Sequence, residues 1–494
     1  MYKLDDIKKS TVLILGLGES GCYSAIWYYR QGLRLRIVDT NIKPIGLDKL
    51  RSIVNDSYVE YKLGYRDNFR LDLLDGVSLV IISPGLSPNS AVVKNLISSA
   101  ISVNIEVIGE IEVFARALKY LKYTKNYIPQ VLAVTGTNGK TTVTSLTYKI
   151  FCNCGISVKC AGNIGPAAIR VLMDVIDEES LPSLWVLELS SFQINYMNSL
   201  HPDVSVILNL TQDHIDWHGS KEDYWESKIK LLKLSKIALI NRSDPVVLRM
   251  SATLGNHIIN SFGIDEPTKR NDVGLSLKNH QKWLVNNCKN DYLVNNSTDL
   301  NHNNLEYLLP TSSLRIKGMH NILNVLASIQ LCKSVGLKVS EALSTLINYT
   351  GEPHRIQWVC EINKINYVDD SKSTNVASTI AALESIESKS VLILGGLGKN
   401  QDFLPLIPGL VNHARAIVLI GVASLEIADL LSKTSLIYRF SHDMKEAVEI
   451  SSRLAHPGDT VLLSPACSSF DMFNGYAHRG KVFTDCVRSM LLRK

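Results

Sequence analysis

The sequence predicts an α/β protein of three domains, each a mostly parallel sheet with helices, and two observations carry that expectation. The chain has 494 residues, and at roughly 100 to 200 residues per domain it should divide into about three, each able to bury its own core. One pattern also recurs in each third of the chain: a short β-branched apolar run, a glycine-containing loop and an amphipathic stretch, the order from which parallel sheets are built. The first copy is Thr11–Leu15 leading into Gly16-Leu-Gly18-Glu-Ser-Gly21. The second is Val131–Thr135 leading into Gly136-Thr-Asn-Gly139-Lys140-Thr141, and the third is Val391–Leu394 leading into Gly395-Gly-Leu-Gly398-Lys399. Breaks near Gly109 and Thr350-Gly351 give expected domains over 1–109, 110–350 and 351–494.

Composition narrows the function classes. Lys plus Arg is 52 against 47 for Asp plus Glu, a net charge of +5 on a chain that is 20% charged, with no polybasic tail or nucleic-acid stripe. Apolar residues make up 46%, yet runs such as Val80–Ile82 and Val391–Leu394 fall far short of the roughly 18 needed to span a bilayer. The amino terminus, Met1 to Asp6, has no apolar core before a small-residue cleavage site, so the protein is expected in the cytoplasm. Nine cysteines without a Cys-x-x-Cys pair read as reduced, mostly buried thiols. Cys152-x-Cys154 with Cys160 does not have zinc-knuckle spacing. From Asn279 to Asn304, nine of 26 residues are asparagine with no helical period, so the stretch Lys278–Tyr307 reads as exposed hairpins and loops on the middle domain.

In the first unit, Gly16-x-Gly18-x-x-Gly21 follows a strand and opens a helix, and Asp39 lies 18 residues past the last glycine, at the end of a second strand, Leu35–Val38. By spacing this is a dinucleotide fingerprint. Its physics is less specific, because any nucleotide diphosphate satisfies backbone approach, helix-terminal amides and a ribose-binding carboxylate. A second loop, Ser83-Pro-Gly85-Leu-Ser-Pro88, follows Leu79–Ile82 and can close over the same ligand, although turn chemistry alone also explains it.

In the second unit, the loop from Gly136 to Thr142 supplies backbone amides, a lysine and an adjacent hydroxyl, the set needed to cradle ATP phosphates and hold Mg²⁺. Val134 stands where the usual phosphate loop has its first glycine, so the loop is tighter than most. Glu188 ends the apolar run Trp185–Glu188, where a lone carboxylate is costly to bury unless it meets a cation. His214 follows a second apolar run, Val204–Leu210, at a strand's carboxyl end, and beside Glu188 and the lysine loop it reads as a metal ligand. The third unit adds Asp369 to Asn375 after Ile365–Val368, and Ser464 to Asp471. Both are hydroxyl clusters suited to a small anion, although serine-rich loops are common.

Several ordered motifs then match one family: Thr135 to Thr141, Gly162-Asn163-Ile164-Gly165, Glu188 to Gln193, Asp213-His214, His320-Asn321-Ile-Leu-Asn324 and His354-Arg355. Across almost the whole chain the sequence resembles the Mur ligase family. The segment Asp370-Ser-Lys-Ser-Thr-Asn375, and the absence of an Asp-Asn-Pro-Arg string, make it similar to the branch that adds D-glutamate to UDP-N-acetylmuramoyl-L-alanine. Gln212 and Ile215 flanking Asp213-His214, Tyr476 in place of phenylalanine and the long Asn-rich insertion depart from the pattern.

The resemblance implies an N-terminal Rossmann-like domain holding UDP rather than NAD, a central P-loop ATPase-like domain and a C-terminal Rossmann-like domain. It implies ATP-dependent amide formation through an acyl phosphate, by a monomer whose partners are small molecules, with no nucleic acid and no membrane span. The UDP substrate would be held by Gly18, Glu19, Ser20, Asp39, Thr40, Ser83, Gly85, Asn163 and Ser191. ATP would be held by Gly136, Thr137, Asn138, Gly139, Lys140, Thr141 and Thr142, and by Asn324, Arg355 and Asp370 once the domains close. D-glutamate would be gripped by Lys372, Thr374, Lys399, Ser469 and Tyr476. Two Mg²⁺ sites are implied, with Thr141 and Glu188 at one and His214 near the second. Lys228, 14 residues after His214 on an expected helix, would carry a carbamate that serves as an anionic ligand facing Glu188 and His214. Composition alone reads Lys228 as solvated, with Lys221, Lys230, Lys233 and Lys236 nearby. Lys140, Glu188, His214 and Lys228 are the implied catalytic set. A nicotinamide-dependent dehydrogenase would explain the first loop but not the second, and a non-catalytic nucleotide-binding module would not need Lys140, Glu188 and His214 together. A Mur-type ligase with another amino acid acceptor is the remaining alternative.

Overall fold

The computed structural model describes residues 10–65, 70–288, 305–316, 318–386, 388–398 and 401–491. Three α/β domains are present, each with its own sheet. Strands β1 (Thr11–Leu15), β2 (Arg34–Asp39), β3 (Val59–Leu63), β4 (Val77–Ile82) and β5 (Glu106–Ile108) pair in the order β3-β2-β1-β4-β5, all parallel. Continuous apolar runs such as Val12–Leu15 are what a strand covered on both faces requires. The strand order reverses between β1 and β4, which opens a crevice at their carboxyl ends. There Ser83 Oγ donates to the Gly16 carbonyl at 2.8 Å, tying the two loops together.

The second sheet contains β6 (Gln130–Thr135), β7 (Val158–Gly162), β8 (Leu184–Glu188), β9 (Val204–Ile207), β10 (Ile237–Asn241), β11 (Ile258–Phe262), β12 (Val273–Lys278), β13 (Gln281–Asn287) and β14 (Leu305–Pro310). Its order is β14-β13-β12-β11-β10-β9-β6-β8-β7, parallel from β7 to β12. Strand β9 stops at Ile207, short of the expected Leu210, because Asn209 turns its backbone and amide toward the loop after β6. The antiparallel hairpin β12–β13 turns on Asn279-His280, both at positive φ (50° and 59°), a conformation that short hairpin turns need and asparagine tolerates. The expectation of an exposed Asn-rich stretch fails at Asn286 and Asn287, which are buried. Their amides are satisfied by Glu306 Oε2 and the Pro267 carbonyl, each at 2.9 Å. The remainder, 289–304, lies outside the described residues.

The third sheet is built from β15 (Gln357–Ile362), β16 (Ile365–Asp369), β17 (Ser390–Gly395), β18 (Ala414–Ile420), β19 (Ile437–Phe440) and β20 (Thr460–Leu463). They run β15-β16-β20-β17-β18-β19, parallel except for the edge strand β15. The loops after β16, β20 and β17 therefore lie side by side.

By internal contacts the chain forms two compact units. One comprises Met1–Leu210, Trp217–Leu309 and Leu326–Leu346, and the other Thr211–Asp216, Pro310–Val325 and Ile347–Lys494. The first unit joins two sheets because helix Glu110–Lys125 presents buried glutamates to backbone amides of the helices and loops that flank the second. Glu112 accepts from Asn198 and Ser199 amides at 2.7 and 2.8 Å, and Glu110 from the Ile169 amide at 2.7 Å. Burial pushes the Glu110 carboxyl up to about 7. The surface pairs Arg30–Asp177 and Arg170–Glu19, both 2.9 Å, add little in water. No disulfide joins the nine cysteines, and only Cys22, Cys332 and Cys467 are buried, fewer than the sequence suggested, since several lie near helix ends and strand margins.

The third glycine of the first loop is a steric requirement. A Cβ at Gly21 would stand 2.0 Å from the Gly16 carbonyl oxygen, so helix Glu19–Arg30 sits against its own loop through bare backbone. Gly21→Ala should destabilise the first unit by about 1 to 3 kcal/mol, the usual scale of overpacking, read as a lower urea midpoint for that unit's transition. An unchanged midpoint would show that the loop can shift without cost.

Candidate active site

Strand β6 ends in the loop Gly136–Gly139, and helix Lys140–Asn153 starts immediately after it. Gly139 is left-handed (φ 82°), and a Cβ at Gly136 (φ 151°) would meet Leu208 Cβ at 3.0 Å. Asn209 grips this tight turn from β9's side. Its carbonyl accepts from the Thr137 amide at 3.0 Å, its Oδ1 accepts from the Asn138 amide at 2.8 Å, and its Nδ2 donates to the Asn138 carbonyl at 3.1 Å. Thr137 and Asn138 thus direct their amides inward. Amides of the first helical turn, those of Thr141 and Thr142 among them, have no carbonyl four residues back inside the helix, and such amides are what a phosphate meets at a helix start. Lys140 Nζ folds onto the loop and donates to the Gly136 and Thr137 carbonyls at 2.9 and 2.8 Å.

In the sheet β6 lies between β8 and β9, so residues ending those strands flank the loop. Glu188 ends β8 and is 1% exposed. Asn163 Nδ2 donates to its Oε1 at 2.7 Å, while its Oε2 is buried with no hydrogen-bond partner among the described residues. The Asn163 amide holds the Glu188 carbonyl at 2.8 Å, and a Cβ at Gly162 (φ 101°) would lie 2.4 Å from that carbonyl oxygen. An unpartnered buried carboxylate oxygen is costly in apolar surroundings, and a hard cation is the partner that fits it.

Lys228, on helix Lys221–Leu234, is buried at 1% exposure rather than solvated. Its Nζ donates to Thr135 Oγ1 at 3.2 Å and to the Gly136 carbonyl at 3.0 Å, the carbonyl that also accepts from Lys140. It lies 4.8 Å from the Tyr224 ring centre, and the Tyr224 hydroxyl donates to Thr137 Oγ1 at 3.1 Å.

Residues expected to hold the UDP substrate sit at the carboxyl edges of the first unit's sheets. Asp39 is 7% exposed and accepts from the amides of Leu17 (2.7 Å) and Asn41 (2.8 Å), which sets the loop's shape. Gly18, Glu19, Thr40, Gly85 and Asn163 are exposed, Ser20 and Ser83 are half-buried, and Glu19 pairs with Arg170. Ser191 is buried, its Oγ 2.9 Å from His218 Nε2, and Ser87 Oγ donates to the Trp217 carbonyl at 2.9 Å. His218 is buried against Phe192, Trp217 and Tyr224.

The second unit holds the other expected residues. His214 (φ 53°) has its Nε2 3.6 Å from Asp213 Oδ2 and is 31% exposed at its side chain. Asn324 is buried, its Nδ2 3.3 Å from Asn321 Oδ1, and Arg355 is half-buried. Asp370 is buried and accepts from Ser373 Oγ (2.5 Å), Ser464 Oγ (2.7 Å) and the Ile356 amide (3.2 Å), and burial pushes its carboxyl up to about 6. Lys372 Nζ stands 3.6 Å above the centre of the Tyr476 ring. Ser469 is buried on the loop after β20, Thr374 is half-buried and Lys399 lies outside the described residues.

Three residues were missed by sequence reasoning. Asn209 had a signal, an amide inside an apolar run, and so had His218, four residues after His214. Arg479 had one too: it is completely buried, and it lies four and eight residues before Phe483 and Val487, on the apolar face of its helix.

Comparison with known proteins fits this arrangement. Residues 10–109 match the model of the Mur ligase MurD-like N-terminal domain, 134–332 that of the Mur ligase middle domain and 354–467 that of the Mur ligase glutamate ligase domain. The UDP-N-acetylmuramoylalanine--D-glutamate ligase of Bordetella pertussis is 47% identical over 491 residues, covering 97% of this chain and 96% of that protein. The chain belongs to the Mur ligase family. The protein of the same name from Cupriavidus metallidurans is 40% identical, covering 99% and 98%. A MurF ligase from Thermotoga maritima, solved in complex with ADP, shares the fold with a TM-score of 0.59 at 17% identity, covering 99% of each chain. Mur ligases are ATP-dependent, which implies ATP and Mg²⁺ here, and the orphaned Glu188 oxygen beside the lysine loop is a donor suited to that ion.

Next to Asn321 and Asn324, burial and the charge of Arg355 push the His320 imidazole down to about 4. The unfolded chain would take up this proton near 6.5 and the folded chain only near 4, so stability is fully present above about pH 6.5 and is lost as pH falls toward 4. The second unit should therefore lose up to about 3 kcal/mol across that window relative to His320→Asn, measured as the difference in urea stability between the two proteins. Parallel pH profiles would show that the imidazole is not shielded.

Proposed function

We propose that this chain adds D-glutamate to UDP-N-acetylmuramoyl-L-alanine in an ATP-dependent reaction of peptidoglycan precursor synthesis, acting as a cytoplasmic monomer. What carries the reading is 47% identity over 97% of the chain to a ligase of that name, with each motif of the resemblance in place. The three sheets divide the work, the first taking the UDP substrate, the second ATP and the third the amino acid.

A carboxylate is a poor acyl donor because oxide is a poor leaving group. Its oxygen attacks the γ-phosphorus of ATP, the bond to the β-phosphate oxygen breaks and ADP leaves, giving an acyl phosphate. The amine of D-glutamate then attacks the acyl carbon, loses a proton, and the tetrahedral intermediate expels phosphate as the amide forms. Lys140 exchanges its loop carbonyls for phosphate oxygens, and with the amides of the first helical turn it neutralises charge developing on the transferring group. One such donor is commonly worth about a hundredfold or more in rate. Thr141 and Glu188 would hold one Mg²⁺ and His214 a second, the ion supplying further charge neutralisation at those oxygens. Asn163 fixes the rotamer of Glu188 through its Oε1. Lys372, Thr374, Lys399, Ser469 and Tyr476 grip the acceptor, and Asn324, Arg355 and Asp370 serve ATP.

Lys228 carries a carbamate in this reading. Its neutral amine adds CO₂ and releases a proton, turning a cation that would repel Mg²⁺ into an anion. Burial of Lys228 against the phosphate loop supports a role there.

Phosphate release from ATP should require both the UDP-muramoyl substrate and D-glutamate, since an acyl phosphate without acceptor is held rather than turned over. Comparable turnover with L-alanine or diaminopimelate would redirect the assignment to another acceptor. Lys228→Ala should be inactive and partly restored by a small added carboxylic acid that occupies the vacated anionic position. Full activity without any addition would rule the carbamate out.

A further inference from the structure

Arg479 lies on helix Tyr476–Leu491, one turn after Tyr476, and is completely buried. Its guanidinium reaches the backs of two loops. Nε donates to Ser371 Oγ at 3.0 Å and Nη2 to the Ser371 carbonyl at 2.8 Å, on the loop after β16. Nη1 donates to the Cys467 carbonyl at 3.0 Å, on the loop after β20. Ser371 Oγ in turn donates to the Tyr476 carbonyl at 2.8 Å, which closes a ring through the helix start. The third neighbouring loop, after β17, passes close to the same group: a Cβ at Gly396 would lie 3.4 Å from Nη1.

Among the described residues no carboxylate forms an ion pair with Arg479. Those nearby are engaged elsewhere: Asp369 with His354 and the Ser371 amide, Asp370 with Ser373 and Ser464, and Asp471 through Oδ2 with the Val422 amide. Burial lowers the guanidinium to about 10, which leaves it charged at neutral pH. A buried charge whose hydrogen bonds go to carbonyl and hydroxyl oxygens, with Asp369, Asp370 and Asp471 near but not paired to it, is a poor stabilising device, and a well-packed apolar side chain would serve stability as well or better. What the guanidinium does that no apolar group can is fix two backbone oxygens and a hydroxyl in one plane.

We infer that Arg479 is the positioning residue of the amino acid pocket. It sets the register of Lys372 and Ser469 by holding Ser371 and Cys467, and that of Tyr476 through the Ser371 hydroxyl. This rests on the reading of those three residues as the D-glutamate site.

The test is steady-state kinetics of the full-length protein with Arg479→Met and Arg479→Lys, varying each substrate in turn. Arg479→Met should raise KM for D-glutamate by about tenfold or more while KM for ATP and for the UDP substrate stay within about twofold, since small displacements of positioning groups carry such penalties. Arg479→Lys, which keeps the charge but not the fork, should fall between the two, and it carries the test alone if the methionine variant does not fold. Equal shifts in all three KM values, or a loss confined to kcat, would overturn the inference and leave a merely structural arginine. Absence of wild-type turnover with D-glutamate would instead overturn the functional reading, and this inference with it.

Discussion

A glycine loop that binds phosphate must turn some amides outward, so it has to be gripped from behind by groups outside its own ladder. Asn209 supplies that grip, and much of the central site follows from it. Its three contacts fix Thr137 and Asn138 from the end of β9, which leaves the first turn of helix Lys140–Asn153 as the face presented to an anion. The Gly136 carbonyl, pinned by the same turn, then becomes the meeting point of two ammonium groups, Lys140 at 2.9 Å and Lys228 at 3.0 Å. Two like charges on one oxygen form an arrangement that an arriving anion relieves.

Sheet topology explains why these residues gather although they are far apart in sequence. In parallel sheets the carboxyl ends of strands collect loops, and the order of the second sheet puts β6 between the strand that ends in Glu188 and the strand that leads to Asn209. The first and third sheets repeat the device, with the Gly16 and Ser83 loops paired across β1 and β4, and the loops of β16, β20 and β17 set side by side.

Much of this was legible in the sequence because it rests on local rules. Buried parallel strands must be apolar runs, and Thr11–Leu15, Val131–Thr135 and Val391–Leu394 each lie inside an observed strand. Glu188 was marked by chemistry that only burial makes sensible, and Lys228 only by the family resemblance against a local pattern that reads as solvated; both are buried at 1% exposure. What stayed hidden depends on long-range satisfaction of polar groups. Nothing in the local pattern says that Glu110 and Glu112 will turn inward to backbone amides of a distant helix and loop, or that Asn209 will stop β9 early. Arg479 is the extreme case: its place four residues before Phe483 marks a buried face, but its partners lie 108 and 12 residues away and nothing local names them.

Lys140, Lys228 and Arg479 also share a feature that composition cannot express. Each donates to loop carbonyl oxygens at a sheet's carboxyl edge, Lys140 to those of Gly136 and Thr137, Lys228 to that of Gly136, and Arg479 to those of Ser371 and Cys467. A carbonyl dipole satisfies a cation's hydrogen bonds without itself adding an opposite charge. All the substrates of the proposed reaction are anions: a nucleoside triphosphate, a UDP-linked carboxylate and a dicarboxylic amino acid. Cations set at those edges favour such ligands. The excess of five positive charges on the whole chain is too thin to supply that preference, so the field at each edge has to come from such local placement.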